Sequence, residues 1–195
     1  MEKTFLNLGS GPRWAMPTND PLFHGWTEFR IDISPETKPD AVASLVDLKG
    51  VIADNSVEIV FCSHVIEHFH AHEVPLVLAE VTRVLRPEGV AIFRCPDLAQ
   101  VVQLLDPGDL DKPVYSSPAG DISILDIIYG HRESIIMDGD HMAHRSGFTE
   151  EYLAKHLLDA GFEEVRTQTS SSMDFWASAS FEPTQYLRQA ERLLI

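Results

Sequence analysis

Short apolar runs separated by turns fill the first half of the chain. Residues 4–8, 27–33, 41–48, 57–63 and 89–95 each read as a strand. The runs Ile59-Val60-Phe61-Cys62 and Ala91-Ile92-Phe93 are continuously apolar. Strands buried on both faces of a parallel sheet need that pattern, whereas half-exposed strands alternate. Between the fourth and fifth runs, Val74, Val77, Leu78, Val81, Val84 and Leu85 recur at helical spacing and predict a helix over 73–86. It forms the crossover of a βαβ unit, and Pro87 stops it. A second helix is predicted over 150–160, with Thr149 as N-cap, Glu150 and Glu151 in its first turn and Gly161 at C′. Residues 162–169 and 174–181 read as the strands of a hairpin, and a last helix spans 183–194. The expected fold is α/β: one domain of residues 1–195, its sheet mostly parallel with a C-terminal antiparallel hairpin, helices on both faces.

Two segments depart from this scheme. Residues 12–26 hold Pro12, Pro17 and Pro21, so the first crossover helix is shortened or missing and one sheet face is left thinly covered. Either the loop packs there with Trp14 and Trp26, or a second subunit of a homodimer does. Residues 107–148 form a long insertion after the fifth strand, with a short helix over 122–129. Its position marks it as a substrate lid.

Composition narrows the function. Thirty acidic and fifteen basic residues give a net charge of -15, and the Lys and Arg form no run or stripe. Nucleic acid and anionic membrane are therefore not expected partners, and the acidity serves solubility. Cys62 and Cys95 sit inside apolar runs and make no disulfide scaffold. No signal-peptide pattern follows Met1, and no apolar stretch approaches the roughly 20 residues of a membrane helix, so the cytoplasm is the expected compartment.

Four elements with chemistry fall at the ends of successive strands, where an open α/β sheet binds its ligand. Leu6-Asn7-Leu8-Gly9-Ser10-Gly11 closes the first strand with a glycine turn that lets the backbone approach a ligand. Asp32 follows Gly11 by 21 residues, the place from which a carboxylate accepts both ribose hydroxyls of a nucleotide. Val46-Asp47-Leu48 offers a carboxylate with apolar flanks to an adenine. Ser63-His64-Val65-Ile66-Glu67-His68-Phe69 comes directly after the fourth strand.

The stretch from Leu6 to Asp97 resembles the class I S-adenosylmethionine-dependent methyltransferases with a Rossmann-like sheet. It is most similar to a small group with an Asn-Leu-Gly-x-Gly turn and a Ser-His-Val-(Leu/Ile)-Glu-His motif. Glu80 to Gly89 resembles that family's helix-to-strand passage, and His144-Arg145-Ser146-Gly147-Phe148-Thr149 its C-terminal part. The resemblance implies S-adenosylmethionine as cofactor, a small polar acceptor such as a sugar, and a binding set of Asn7, Gly9, Ser10, Gly11, Asp32, Ile33, Asp47, Leu48, Ser63 and His64. Asn7, Gly9 and Gly11 would line the methionine end and ribose side, Asp32 the ribose, Asp47 and Leu48 the adenine, and Ser63 and His64 the sulfonium. Asn7 stands where many members carry an acid, and Pro87-Glu88-Gly89 replaces their Pro-Gly-Gly.

If the acceptor is a hydroxyl or protonated amine, a general base is required. His64 and His68 are the first candidates and His144 the next, with Glu67 orienting one of them or capping a helix. Three rival readings stand beside this one. His64-Val65-Ile66-Glu67-His68 matches the H-x-x-E-H zinc hydrolase pattern, which needs both histidines on one helical face. A nicotinamide dehydrogenase would carry a third glycine where this chain has Pro12-Arg13-Trp14. A non-catalytic S-adenosylmethionine-binding module needs the same cofactor residues. The spacing of His68, His70 and His72 is not a recurrent ligand pattern, and no metal site is expected.

Overall fold

The computed structural model describes residues 3–12, 23–117 and 120–190. Five parallel strands come first: β1 (Thr4–Leu8), β2 (Thr27–Asp32), β3 (Ala41–Val42), β4 (Val57–Ser63) and, after helix α1 (Val74–Val84), β5 (Leu85–Pro96). Then come α2 (Leu98–Gln103), a separate hairpin of β6 (Pro113–Ser117) and β7 (Gly120–Ser123), and helices α3 (Ile124–Tyr129) and α4 (Arg132–Asp138). The chain continues with α5 (Glu150–Asp159), β8 (Glu164–Thr169), β9 (Asp174–Ser180) and α6 (Gln185–Ala190). The seven-stranded sheet has the order β3-β2-β1-β4-β5-β9-β8. Of the seven strands only β9 is reversed: it pairs antiparallel with β5 on one side and with β8, its hairpin partner, on the other.

Alternate residues of each central strand serve opposite layers, because successive side chains point to opposite faces. Leu6, Leu8, Val60, Cys62, Ala91 and Phe93 meet the apolar stripes of α1 and α5. Phe5, Ile59, Phe61, Val90 and Ile92 meet Tyr186, Leu187 and Ala190 of α6. This second layer also holds Phe23, whose ring lies 4.6 Å from Phe5 and 5.6 Å from Phe61, and Trp26, set edge-on to Tyr186. Trp26 thus packs on this face; residues 13–22, where the first crossover helix is expected to be shortened or missing, with Trp14 among them, and the end of the helix expected over 183–194 lie outside the described residues.

Three boundaries differ from the sequence pattern. The third strand, expected over 41–48, pairs only at Ala41 and Val42. As an edge strand it has one neighbour, and the chain then turns so that Leu45 and Leu48 enter the core. The helix expected to reach residue 86 ends at Val84, since a residue before proline avoids the helical region and Leu85 is already pairing with Val57. The insertion 107–148 holds the expected short helix, here α3, but also a hairpin and α4. Ser123 and Asp126 form a reciprocal capping box on α3, and Arg132 donates to Asp126 from the start of α4. Among the described residues no helix is long and apolar enough to cross a membrane.

The turn after β3 is held from α1. Glu80 accepts the backbone N–H of Leu48 at 2.7 Å and two hydrogen bonds from Arg83, which also donates to the carbonyl of Ile52 and to Asp54. The Arg83 guanidinium keeps the Glu80 carboxyl below the ordinary range, against the opposing effect of burial. Replacing Glu80 by Ala strands a buried N–H and an arginine, at a cost of about 2–4 kcal/mol. Thermal unfolding should show a midpoint lower by roughly 5–12 °C. Because the folded carboxyl is the stronger acid, its contribution is complete above the unfolded value near pH 4.3 and fades as the pH falls below it. The variant should therefore lose less stability than the parent between about pH 5 and 3.

Candidate active site

The carboxyl ends of β1, β2 and β4 meet at a cleft of about 520 Å3. Beyond β1, Gly9 and Gly11 adopt φ of +59° and +57°, and the chain turns sharply off the sheet. A Cβ at Gly9 would come within 2.4 Å of Val65 Cγ2. Across the turn, Asp32 at the tip of β2 accepts the N–H of Gly11 and that of Ser34, both at 2.8 Å. A carboxylate has about four lone-pair sites, so two remain for donors of a ligand. Arg30 is fully buried beneath and donates to the carbonyls of Gly11, Thr37 and Lys38, tying the glycine turn to the turn after β2.

Of the cofactor residues expected from sequence, Gly9, Gly11, Asp32, Ile33 and His64 line the cleft. The other five do not. Asn7 donates to Glu28 and is buried. Ser10 is buried, with its hydroxyl on the Gly11 carbonyl. Leu48 is fully buried in the core, and exposed Asp47 accepts the N–H of Lys49. Ser63 closes β4 outside the lining. On the β3 side the lining residues are Ala43, Ser44 and Leu45, because the shortened strand turns earlier than the pattern implies.

His64 follows β4 with φ +53°, a strained conformation for a non-glycine residue, and its N–H donates to the Arg94 carbonyl at 2.7 Å. Its ring lies between Glu67 (Nδ1 to Oε1, 3.4 Å) and Asp174 (Nε2 to Oδ2, 3.7 Å). Burial opposes charge on the ring, but Asp174 and then Glu67 outweigh it and push its pKa up to about 9. The ring holds its proton at neutral pH and is a poor base there. Asp174 also accepts from Arg94 and Ser170. Its part could not be read from sequence: it lies 110 residues from His64, and β9 carries it there by pairing with β5.

After His64 the chain makes one 3-10 turn, Ile66–His68, and not a longer helix. The single helical face required by the H-x-x-E-H pattern is absent. Glu67 is 1% exposed, and neither carboxylate oxygen accepts a hydrogen bond. Its backbone carbonyl accepts the N–H groups of Arg145 and Ser146, docking the end of the insertion on this turn. His68 and His144 stand edge-to-face beside it, ring centres 4.8 Å apart. His68 Nδ1 lies 3.1 Å from the Ala143 carbonyl and His144 Nδ1 2.8 Å from that of Ile127. Burial, the largest effect, lowers the pKa of His144 and keeps it neutral.

A second pocket of about 220 Å3 adjoins the cleft, and Arg145 lines both. Its polar lining includes Glu67, His144, Arg145 and Ser146; its apolar lining includes Pro96, Leu98, Ile127 and Ile128. Asp138, His141 and Met142 from the insertion reach over the cleft itself.

Residues 6–93 match the family described as a methyltransferase domain. Three solved structures share the fold at low identity. An S-adenosylmethionine-dependent methyltransferase from Archaeoglobus fulgidus is 12% identical, with a TM-score of 0.58 over 91% of this chain and 85% of that one. One from Aquifex aeolicus is 15% identical, with 0.58 over 91% and 81%. A Thermotoga maritima protein described as a possible histamine N-methyltransferase is 15% identical, with 0.57 over 93% and 84%. No curated protein matches the sequence.

The glycine turn generates a test. Gly9→Ala adds about 1–2 kcal/mol of backbone strain to the collision with Val65. Urea unfolding of Gly9→Ala, Val65→Ala and the double variant should show the double losing clearly less than the sum of the singles. Simple additivity would mean the contact does not constrain the turn.

Proposed function

We propose a reaction for a chain that carries the methyltransferase domain and is an S-adenosylmethionine-dependent class I methyltransferase: transfer of the methyl group to a hydroxyl or amine of a small polar molecule such as a sugar. The cofactor supplies a methyl group on a sulfonium, an electrophile whose leaving group is already activated. The cleft fits it. Asp32 has two free lone-pair sites for adjacent ribose hydroxyls, and Ile33, 51% exposed beside it, offers an apolar surface for an adenine. Ala43, Ser44 and Leu45 take the place foreseen for Asp47 and Leu48, and Gly9 and Gly11 bring the backbone close to the methionine end.

The single observation that carries the acceptor reading is the small pocket beside that cleft. Its polar wall presents acceptors, Glu67 and the neutral His144, so a molecule seated there offers donors to them. Its apolar wall suits the C–H face of a ring. The bound cofactor would supply the methyl group and keep the C–S electron pair on its sulfur, and the proton of the acceptor's hydroxyl or amine would pass to the neutral His144 of this pocket. The protein positions the two partners and excludes water. The insertion, with Asp138, His141 and Met142 over the cleft, serves as the lid. His64, held between two carboxylates, is a fixed charge near the reacting end.

Thermal unfolding with S-adenosylhomocysteine at 100 times its dissociation constant should raise the midpoint by roughly 5–10 °C, while NAD should leave it unmoved. Asp32→Ala should weaken that ligand by about 10- to 100-fold, through loss of charge-assisted hydrogen bonds. Turnover is then read as a one-methyl mass gain on monosaccharides and small amines. A ligand shift without turnover on any acceptor would favour a non-catalytic binding module; no shift with S-adenosylhomocysteine at millimolar concentration would remove the reading altogether.

A further inference from the structure

We infer that Glu67, His68 and His144 form a binding site for one divalent first-row transition-metal ion, set in the wall between the cofactor cleft and the small pocket. The three side chains each bring one ligand atom within 4.8 Å of the others. A carbonyl can only accept, so an imidazole that approaches one through Nδ1 carries a proton there. The nitrogen left over on each ring to meet an ion is Nε2. Metal-binding histidines are oriented in this way, the second ring nitrogen donating to a carbonyl or carboxylate.

The third partner is a buried carboxylate whose oxygens have no hydrogen-bond donor. An anion buried without a donor is an unfavourable arrangement, and a cation beside it offsets the penalty. Cations already near do not fill that place. Arg145 is directed to Asp140, and His64 Nδ1 stands 3.4 Å from one Glu67 oxygen, beyond a close hydrogen bond. Two imidazole nitrogens and one carboxylate select zinc, manganese or iron(II) over magnesium and calcium, which take oxygen ligands. Tetrahedral bonds of about 2.1 Å set ligand atoms about 3.4 Å apart, so binding draws the three side chains together by roughly an ångström. Three protein ligands leave a coordination position open, the mark of a site that meets a substrate.

His68 lines the cofactor cleft, while Glu67 and His144 line the small pocket. An ion here would touch both spaces. A hydroxyl of the acceptor entering the small pocket would take the open position, which would orient it and favour loss of its proton. That role rests on the methyl-transfer reading; the ion site itself does not.

The test uses the full chain, stripped with a chelator and then titrated with manganese(II) and zinc(II) chloride. Calorimetry should give one ion per chain, and the electron paramagnetic resonance signal of free manganese should fall to the same stoichiometry. Glu67→Gln and His144→Gln, which keep side-chain shape, should each weaken binding by at least about 10-fold. A His70→Asn/His72→Asn variant should bind as the parent does; those exposed rings stack 5.6 Å apart and serve as the control for binding to surface histidines. Binding lost with His70 and His72 but retained in the Glu67 and His144 variants overturns the inference, as does no saturable binding below about 100 times the micromolar range. S-adenosylhomocysteine-induced stabilisation is followed in every variant as the fold control. If it persists while no metal binds, the metal site fails and the methyltransferase reading stands; if metal binds without any S-adenosylhomocysteine stabilisation in the parent, the reverse holds.

Discussion

Everything in the site depends on β1 being paired on both sides by strands that run parallel to it. From β1 the chain moves outward to β2 and β3, then crosses back to place β4 on the other flank. At that reversal the connections leave in opposite directions, and a crevice opens above the carboxyl ends of the strands. Gly9, Asp32 and His64 come from three different strand ends and face one cleft for this reason alone. The parallel pairing is itself enforced by burial. Leu6, Val60 and Ala91 serve one layer and Phe5, Ile59 and Val90 the other, so a slip by one residue would exchange the layers.

Charge is then buried at the crevice in ways that organise loops. The guanidinium of Arg30, fully enclosed, gathers three carbonyls from two turns that have no regular partners. Glu80 and Arg83 do the same for the turn after β3. Such groups add little net stability compared with apolar replacements, but they permit only one arrangement of the loops they hold. Glu67 differs from both. Its backbone carbonyl is fully used in docking the insertion, whereas its side chain faces the imidazoles of His64, His68 and His144 without a hydrogen bond. The contrast between a satisfied backbone and an unsatisfied carboxylate on the same buried residue separates what supports the fold from what is available to a ligand.

The insertion joins these two roles. Its helix α3 is fixed by its own capping box and by Arg132, so it is folded by local hydrogen bonds. Ile122, Ile124 and Ile127 form a small apolar cluster with Val101 of α2. Its last residues are built into the main domain, Arg145 and Ser146 through the Glu67 carbonyl and Phe148 through the Leu98 N–H and the core. Such an element, with a small apolar cluster of its own, is what the lid proposed above requires.

Periodicity alone was enough to place β1, β4, α5 with its Thr149 cap, and the terminal hairpin. Each depends on side chains adjacent along the chain, and local rules govern them. The glycine turn and Asp32 were readable for a similar reason: a strand, a turn and the next strand tip lie at a nearly fixed separation in this fold. Asp47 and Leu48 lie outside the lining of the cleft because the length of an edge strand depends on its neighbour and on where Leu48 is buried, and neither is encoded in the spacing. The charge state of His64 and the grouping of Glu67 and His68 with His144 lay beyond sequence altogether. Asp174 reaches His64 across the sheet through β9 and β5, and His144 reaches Glu67 by the docking of the insertion. A residue's acidity or capacity to hold an ion depends on charges within a few ångströms, and here those charges come from distant parts of the chain, assembled only when the layers pack.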